Sequence, residues 1–126
     1  MKLRHVFTIN FFIAAFFGLS WSLFPAFFFW LYGLMPDETA SWLVRLVGGS
    51  VLGFATLMWY GMQTASIDMR KAIALALLVQ DIIGFTASLI FQFSGKVNFF
   101  GWMSLAMYGG FAFIYAFFLF VKPEES

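Results

Sequence analysis

Four apolar stretches, each long enough to cross a bilayer, decide most of what this chain can fold into. They run over residues 6–24, 39–63, 70–93 and 99–121. A spanning helix needs about 20 residues at a rise of about 1.5 Å each. In hydrocarbon every backbone N–H and C=O must be paired within the protein, which leaves a helix as the economical form for each stretch. The breaks between them carry helix-ending chemistry. Gly33, Pro36 and Asp37 lie in the first, Ser66 and Asp68 in the second, and Gly95 and Asn98 in the third. Glycine frees φ, proline removes a donor, and Asp, Asn or Ser side chains accept from the orphan N–H groups of a first turn. The expected fold is all-α: a polytopic membrane four-helix bundle in one domain over residues 1–126.

Residues 25–34, "PAFFFWLYGL", admit two readings. Pro25 either kinks the first helix or ends it and opens a short interfacial helix, with Trp30 and Tyr32 at headgroup depth. The second reading is preferred, because 6–24 already approaches a full span. The basic start at Lys2 and Arg4 together with "SWS" at 20–22 imitates a signal peptide. The apolar run continues past it in bulky residues and is taken as a span.

Composition agrees with lipid as the solvent. Hydrophobic residues make up 63% of the chain and charged residues 10%, against about 25% charged in soluble domains. The net charge of +1 offers no basic stripe for nucleic acid. With no cysteine and a single histidine, His5, disulfides, thiolate sites and Cys nucleophiles are excluded, and no metal site is expected. Lys2, Arg4, Arg70, Lys71 and Lys122 fall on one side of the four crossings, and only Lys96 falls on the other, beside Asp37 and Glu38. The positive-inside rule then predicts both termini in the cytoplasm.

In lipid, small and polar residues mark the packed faces. The first helix offers Asn10, Ala14, Gly18 and Ser22. The second offers Arg45, Gly49, Gly53, Thr56, Tyr60 and Gln63. The third offers Asp81, Gly84, Ser88 and Gln92, and the fourth Ser104, Tyr108, Ala112 and Tyr115. Each set follows the helical period. Gly18, Gly49, Gly53 and Gly84 are the expected close-packing positions, and the Gly49/Gly53 pair also suits a contact between copies.

Two charges lie inside spans. Asp81 stands about 16 Å beyond Arg70, near the bilayer midplane, and Arg45 about 10 Å from the outer end of its helix. A lone charge at the centre costs about 2.5–3.5 kcal/mol on insertion scales. Pairing offsets much of that cost, so Asp81 and Arg45 are expected to meet inside the bundle, with Gln80, Asn10, Ser88 and Tyr108 as further partners. Such a pair serves either as a structural pin or as a site for protons or small ions.

The stretches Phe7–Asn10 ("F-x-x-N"), Pro25–Gly33 ("P-x-x-x-x-x-L-Y-G") and Arg45–Gly53 ("R-x-x-G-x-x-x-L-G") resemble those of a widespread set of small bacterial inner-membrane proteins. The resemblance covers nearly the whole chain. It implies a four-helix bundle in a bacterial inner membrane and carries no activity.

Three functional expectations follow. The first is a non-enzymatic protein, an accessory subunit of a larger membrane complex or a homo-oligomer, that works by helix packing among membrane lipids. The second is a proton- or ion-coupled transporter or channel using Asp81 and Arg45. The third is a binder of lipid, quinone or pigment in a cleft lined by some of the 20 phenylalanines. No catalytic residue and no particular cofactor is indicated, since neither a nucleophile–base constellation nor a phosphate-binding loop is present.

Overall fold

A computed structural model describes residues 2–122. It holds five helices: α1 (Leu3–Leu23), α2 (Pro25–Tyr32), α3 (Glu38–Gln63), α4 (Ile67–Phe93) and α5 (Gly101–Ala116), which continues as a π-helical turn, Phe117–Val121. There is no strand among the described residues. α1, α3, α4 and α5 with its π turn are long and apolar enough to span a membrane. The chain is therefore a multi-pass, all-helical membrane protein.

The helix ends have local causes. Phe24 leaves helical geometry (φ −132°, ψ 70°), and Pro25 opens α2 as its first residue, where its missing N–H costs nothing. Gly33 then ends α2 at φ 69°, a left-handed conformation that only glycine adopts cheaply. Asp37 caps α3 by accepting from the Ala40 N–H at 2.7 Å. Ser66, rather than Asp68, caps α4 through the Met69 N–H at 3.2 Å. The last turn of α5 widens, so that the Lys122 N–H reaches the Phe117 carbonyl five residues back.

The long helices pack as two pairs, α1 along α3 and α4 along α5. In the first pair the backbones nearly touch. A Cβ on Gly48 would sit 2.6 Å from the Ser22 nitrogen and 2.9 Å from the Gly18 carbonyl oxygen. In the second pair the Tyr108 ring lies over Gly84, 2.5 Å from where a Cβ would be. Small residues thus set the spacing within each pair, as expected where lipid supplies no hydrophobic drive between helices.

The glycines of α3 correct one expectation. Its buried residues are Val44, Gly48, Val51, Ala55, Met58 and Gly61, one or two positions before the predicted set. Gly49 and Gly53 have open space where a Cβ would be, and neither packs inside the protein. One residue is 100° of rotation, so the predicted face looks outward.

The pairs meet at both ends. At the end that holds both termini, Phe7 and Tyr115 are fully buried with ring centroids 6.0 Å apart. The Phe7 ring also lies 2.9 Å from a Cβ position on Gly61. At the opposite end α2 is tied to the α4–α5 connection. The Asn98 side chain donates to the Leu31 carbonyl at 2.9 Å, and its backbone N–H donates to the Tyr32 carbonyl at 3.1 Å. Between these ends α3 and α4 diverge, and a cleft remains.

Candidate functional site: a cleft between two helix pairs

Two cavities share Trp21, Tyr32, Ser104 and Tyr108 in their walls, so they adjoin. The inner one, about 70 Å³, lies against Asn10, Gln80 and Asp81 and is lined by Phe17, Phe54 and Phe111. The outer one, about 350 Å³, separates Val44 and Val47 of α3 from Ala87, Ser88 and Phe91 of α4. The outer volume falls in the range of small-molecule sites, about 300–1,000 Å³, and the inner one has room for only a few atoms. Neither wall contains a Lys, Arg or His.

Each polar group reaches the cleft by the helical period. On α4, Asp81 lies one residue past the midpoint of a 27-residue helix, about 20 Å from either end at about 1.5 Å per residue. It is 6% exposed. No protein group donates to its carboxyl among the described residues, and Oδ2 is buried without a partner. On α1, Trp21 stacks edge-on to Phe28 with centroids 5.4 Å apart. The Trp21 indole N–H is also buried without an acceptor. These are the two such side-chain atoms among the described residues, and both residues line the inner cavity.

Other polar groups of the wall are satisfied. Asn10 donates from Nδ2 to the Tyr115 hydroxyl at 2.7 Å, a buried bond between α1 and α5. Tyr32 and Ser104 share a short hydroxyl–hydroxyl bond that joins α2 to α5. Burial pushes the Tyr32 phenol above its ordinary pKa, partly offset by the Ser104 bond, so it stays neutral and able to donate. Among the described residues no cluster of three or more His, Cys, Asp or Glu offers a metal site.

The expected meeting of Arg45 and Asp81 does not occur. Arg45 is exposed and donates from a terminal guanidinium nitrogen to the Ser22 carbonyl at 2.8 Å. The cause is the break after α1. Phe24 leaves the helix and Pro25 has no N–H, so carbonyls in the last turn of α1 lack their usual donors. A cation at a helix C-terminus also meets the negative end of the dipole. Of the other predicted site residues, Asn10, Gln80, Asp81 and Tyr108 come together at the inner cavity. Ser88 and Gly84 line the outer one, and Gly18 packs against Leu52 and Gly48. Sequence reasoning missed Gly48, Trp21 and the Tyr32–Ser104 bridge. Gly48 had a visible signal, its place beside Gly49, whereas nothing local marks one tryptophan among five as a cavity wall.

No protein-family model, no curated protein and no solved structure matches this chain. The class that fold and cleft define is that of a small polytopic helical membrane protein with a mostly apolar cleft, partly lined by aromatic rings, at mid-depth.

Proposed function

We propose that this is a non-enzymatic bacterial inner-membrane protein that binds a small amphiphile of the lipid phase in the cleft between its helix pairs, with both termini cytoplasmic. The orphaned indole N–H and carboxyl on the wall of one cavity carry the reading. A buried donor or acceptor left unpaired costs about 1–3 kcal/mol, and a carboxylate at mid-bilayer about 2.5–3.5 kcal/mol or more. A bound molecule with polar atoms relieves both costs at once, whereas a protein docking on the outside relieves neither. The aromatic and aliphatic lining supports an apolar body for that molecule. The divergence of α3 from α4 beside Ala87 supports entry from the side. The lack of cysteine and the place of the one histidine, His5, in the first turn of α1 support binding rather than covalent chemistry. Orientation and membrane rest on the basic residues beside the spans and on the resemblance noted above.

The test is chemical. Wild type and Ala87→Trp, which plugs the outer cavity, are purified from native membranes in a mild detergent and their apolar extracts compared by mass spectrometry. A species enriched with wild type and lost with the plug supports the site. Identical extracts from two equally folded proteins remove it.

A second reading, self-association or membership of a larger membrane complex, is favoured by the outward Gly49/Gly53 face, where Cβ atoms would meet nothing within 4 Å. Crosslinking in native membranes checks it: a dimer lost in Gly49→Leu/Gly53→Leu supports that face, and a monomer in wild type discards it.

A further inference from the structure

We infer that the amphiphile this cleft takes is an organic cation, an ammonium on a bulky apolar body that also carries an oxygen acceptor for the Trp21 N–H. The inference rests on the cleft being a binding site and adds the sign of its ligand's charge.

The cleft walls hold one carboxylic acid and no Lys, Arg or His. Asp81 lies on the inner wall with a carboxyl that receives no hydrogen bond from the protein among the described residues. The cation that sequence reasoning placed beside it, Arg45, is committed to the Ser22 carbonyl outside the cleft. A ligand bearing carboxylate or phosphate would find no basic group on either wall and would oppose ionisation of Asp81, whereas a cation beside it favours the ionised form. A lipid phosphate head is disfavoured for that reason. A bare metal ion is disfavoured because one carboxyl does not make a coordination shell.

The rings around the carboxyl complete the recognition. Phe17, Trp21, Phe54, Tyr108 and Phe111 all line the inner cavity. Ring faces carry the negative part of the quadrupole, and cages of them are the usual receptors for quaternary ammonium groups, more effective when water is excluded. A carboxylate and a ring face present the same sign to a ligand, and a ring of this lining that turns its face to the cavity adds to the attraction of Asp81. The apolar walls of the outer cavity, Val44, Val47 and Phe91 among them, take the hydrocarbon body. Gln80 and Tyr108, which make no side-chain hydrogen bond to the described residues, remain to accept from an ammonium N–H.

Two probes of nearly equal shape separate charge from fit: methyltriphenylphosphonium, a quaternary cation, and triphenylphosphine oxide, its neutral counterpart. Equilibrium dialysis of each against detergent-solubilised protein gives the affinities. Wild type is expected to prefer the cation by on the order of tenfold or more, and Asp81→Asn, isosteric and neutral, to abolish the preference while still binding the oxide. Retained circular dichroism and a monodisperse elution profile certify each variant. Equal affinity for both probes in wild type, or a cation preference that survives in Asp81→Asn, overturns the inference while leaving the cleft as a site for neutral molecules. Binding of neither probe, or binding that Ala87→Trp leaves unchanged, overturns the cleft reading and the inference with it.

Discussion

Gly48 and Gly49 are adjacent in sequence and opposite in consequence, so substituting each with alanine is a sharp test of how α1 and α3 pack. A Cβ on Gly48 would stand 2.6 Å from the Ser22 nitrogen, 2.7 Å from its Oγ and 2.9 Å from the Gly18 carbonyl oxygen. Two of these are backbone atoms and cannot rotate away. To reach ordinary contact the helices must separate locally by roughly 0.8 Å, loosening the contacts of Ala14, Gly18, Val51 and Ala55 around the crossing. Overpacking of this kind costs about 1–3 kcal/mol. A Cβ on Gly49 meets nothing within 4 Å, and alanine is worth up to about 1 kcal/mol over glycine inside a helix. Gly48→Ala is therefore expected to destabilise, and Gly49→Ala to be neutral or stabilising; the helix-propensity gain is common to both, so the separation is the overpacking cost of about 1–3 kcal/mol. Reversible unfolding in mixed detergent and SDS micelles, followed by circular dichroism, gives both values. Equal effects, or a larger loss at Gly49, would refute the helix rotation described above.

The absence of an Arg45–Asp81 pair makes a second prediction: in a double-mutant cycle with Arg45→Gln and Asp81→Asn the two effects add within about 0.5 kcal/mol. A coupling above 1 kcal/mol would put the side chains in contact after all. The buried Asn10–Tyr115 bond behaves otherwise. Asn10→Ala and Tyr115→Phe are expected to couple by about 0.6 kcal/mol, the mean measured for hydrogen bonds between membrane helices, and by no more than about 1.7 kcal/mol, and additivity in the same unfolding assay would argue against the bond.

The spans were legible because length and hydropathy are nearly sufficient to define a helix in lipid. So was the break at Pro25, because a proline after a nearly complete span has an obvious use. The inward face of α3 was not. Gly48 and Gly49, and likewise Ala55 and Thr56, are small neighbours 100° apart, and in a membrane no contrast between apolar inside and polar outside chooses between them. Arg45 misled for a related reason. A long guanidinium side chain satisfies itself at any nearby group of bare carbonyls, and the group left by Phe24 and Pro25 is visible only once α1 and α3 are side by side. Asn10, Asp81 and Tyr108 were foreseeable by period, and Gln80 as the neighbour of Asp81 in sequence. The cavity they border was not, since the content of Phe does not tell which rings coat the bundle and which line a void.

The way the helix pairs are joined has a mechanical consequence. One end is covalent, the three residues 64–66 between α3 and α4, reinforced by the Phe7–Tyr115 contact. The other end is a clasp of hydrogen bonds, Asn98 to Leu31 and Tyr32 and the Tyr32 hydroxyl to Ser104. The molecule is built like a clothes-peg. Its jaws are the facing walls of α3 and α4, and their gape is governed by a loop at the membrane edge that need not touch whatever the jaws hold.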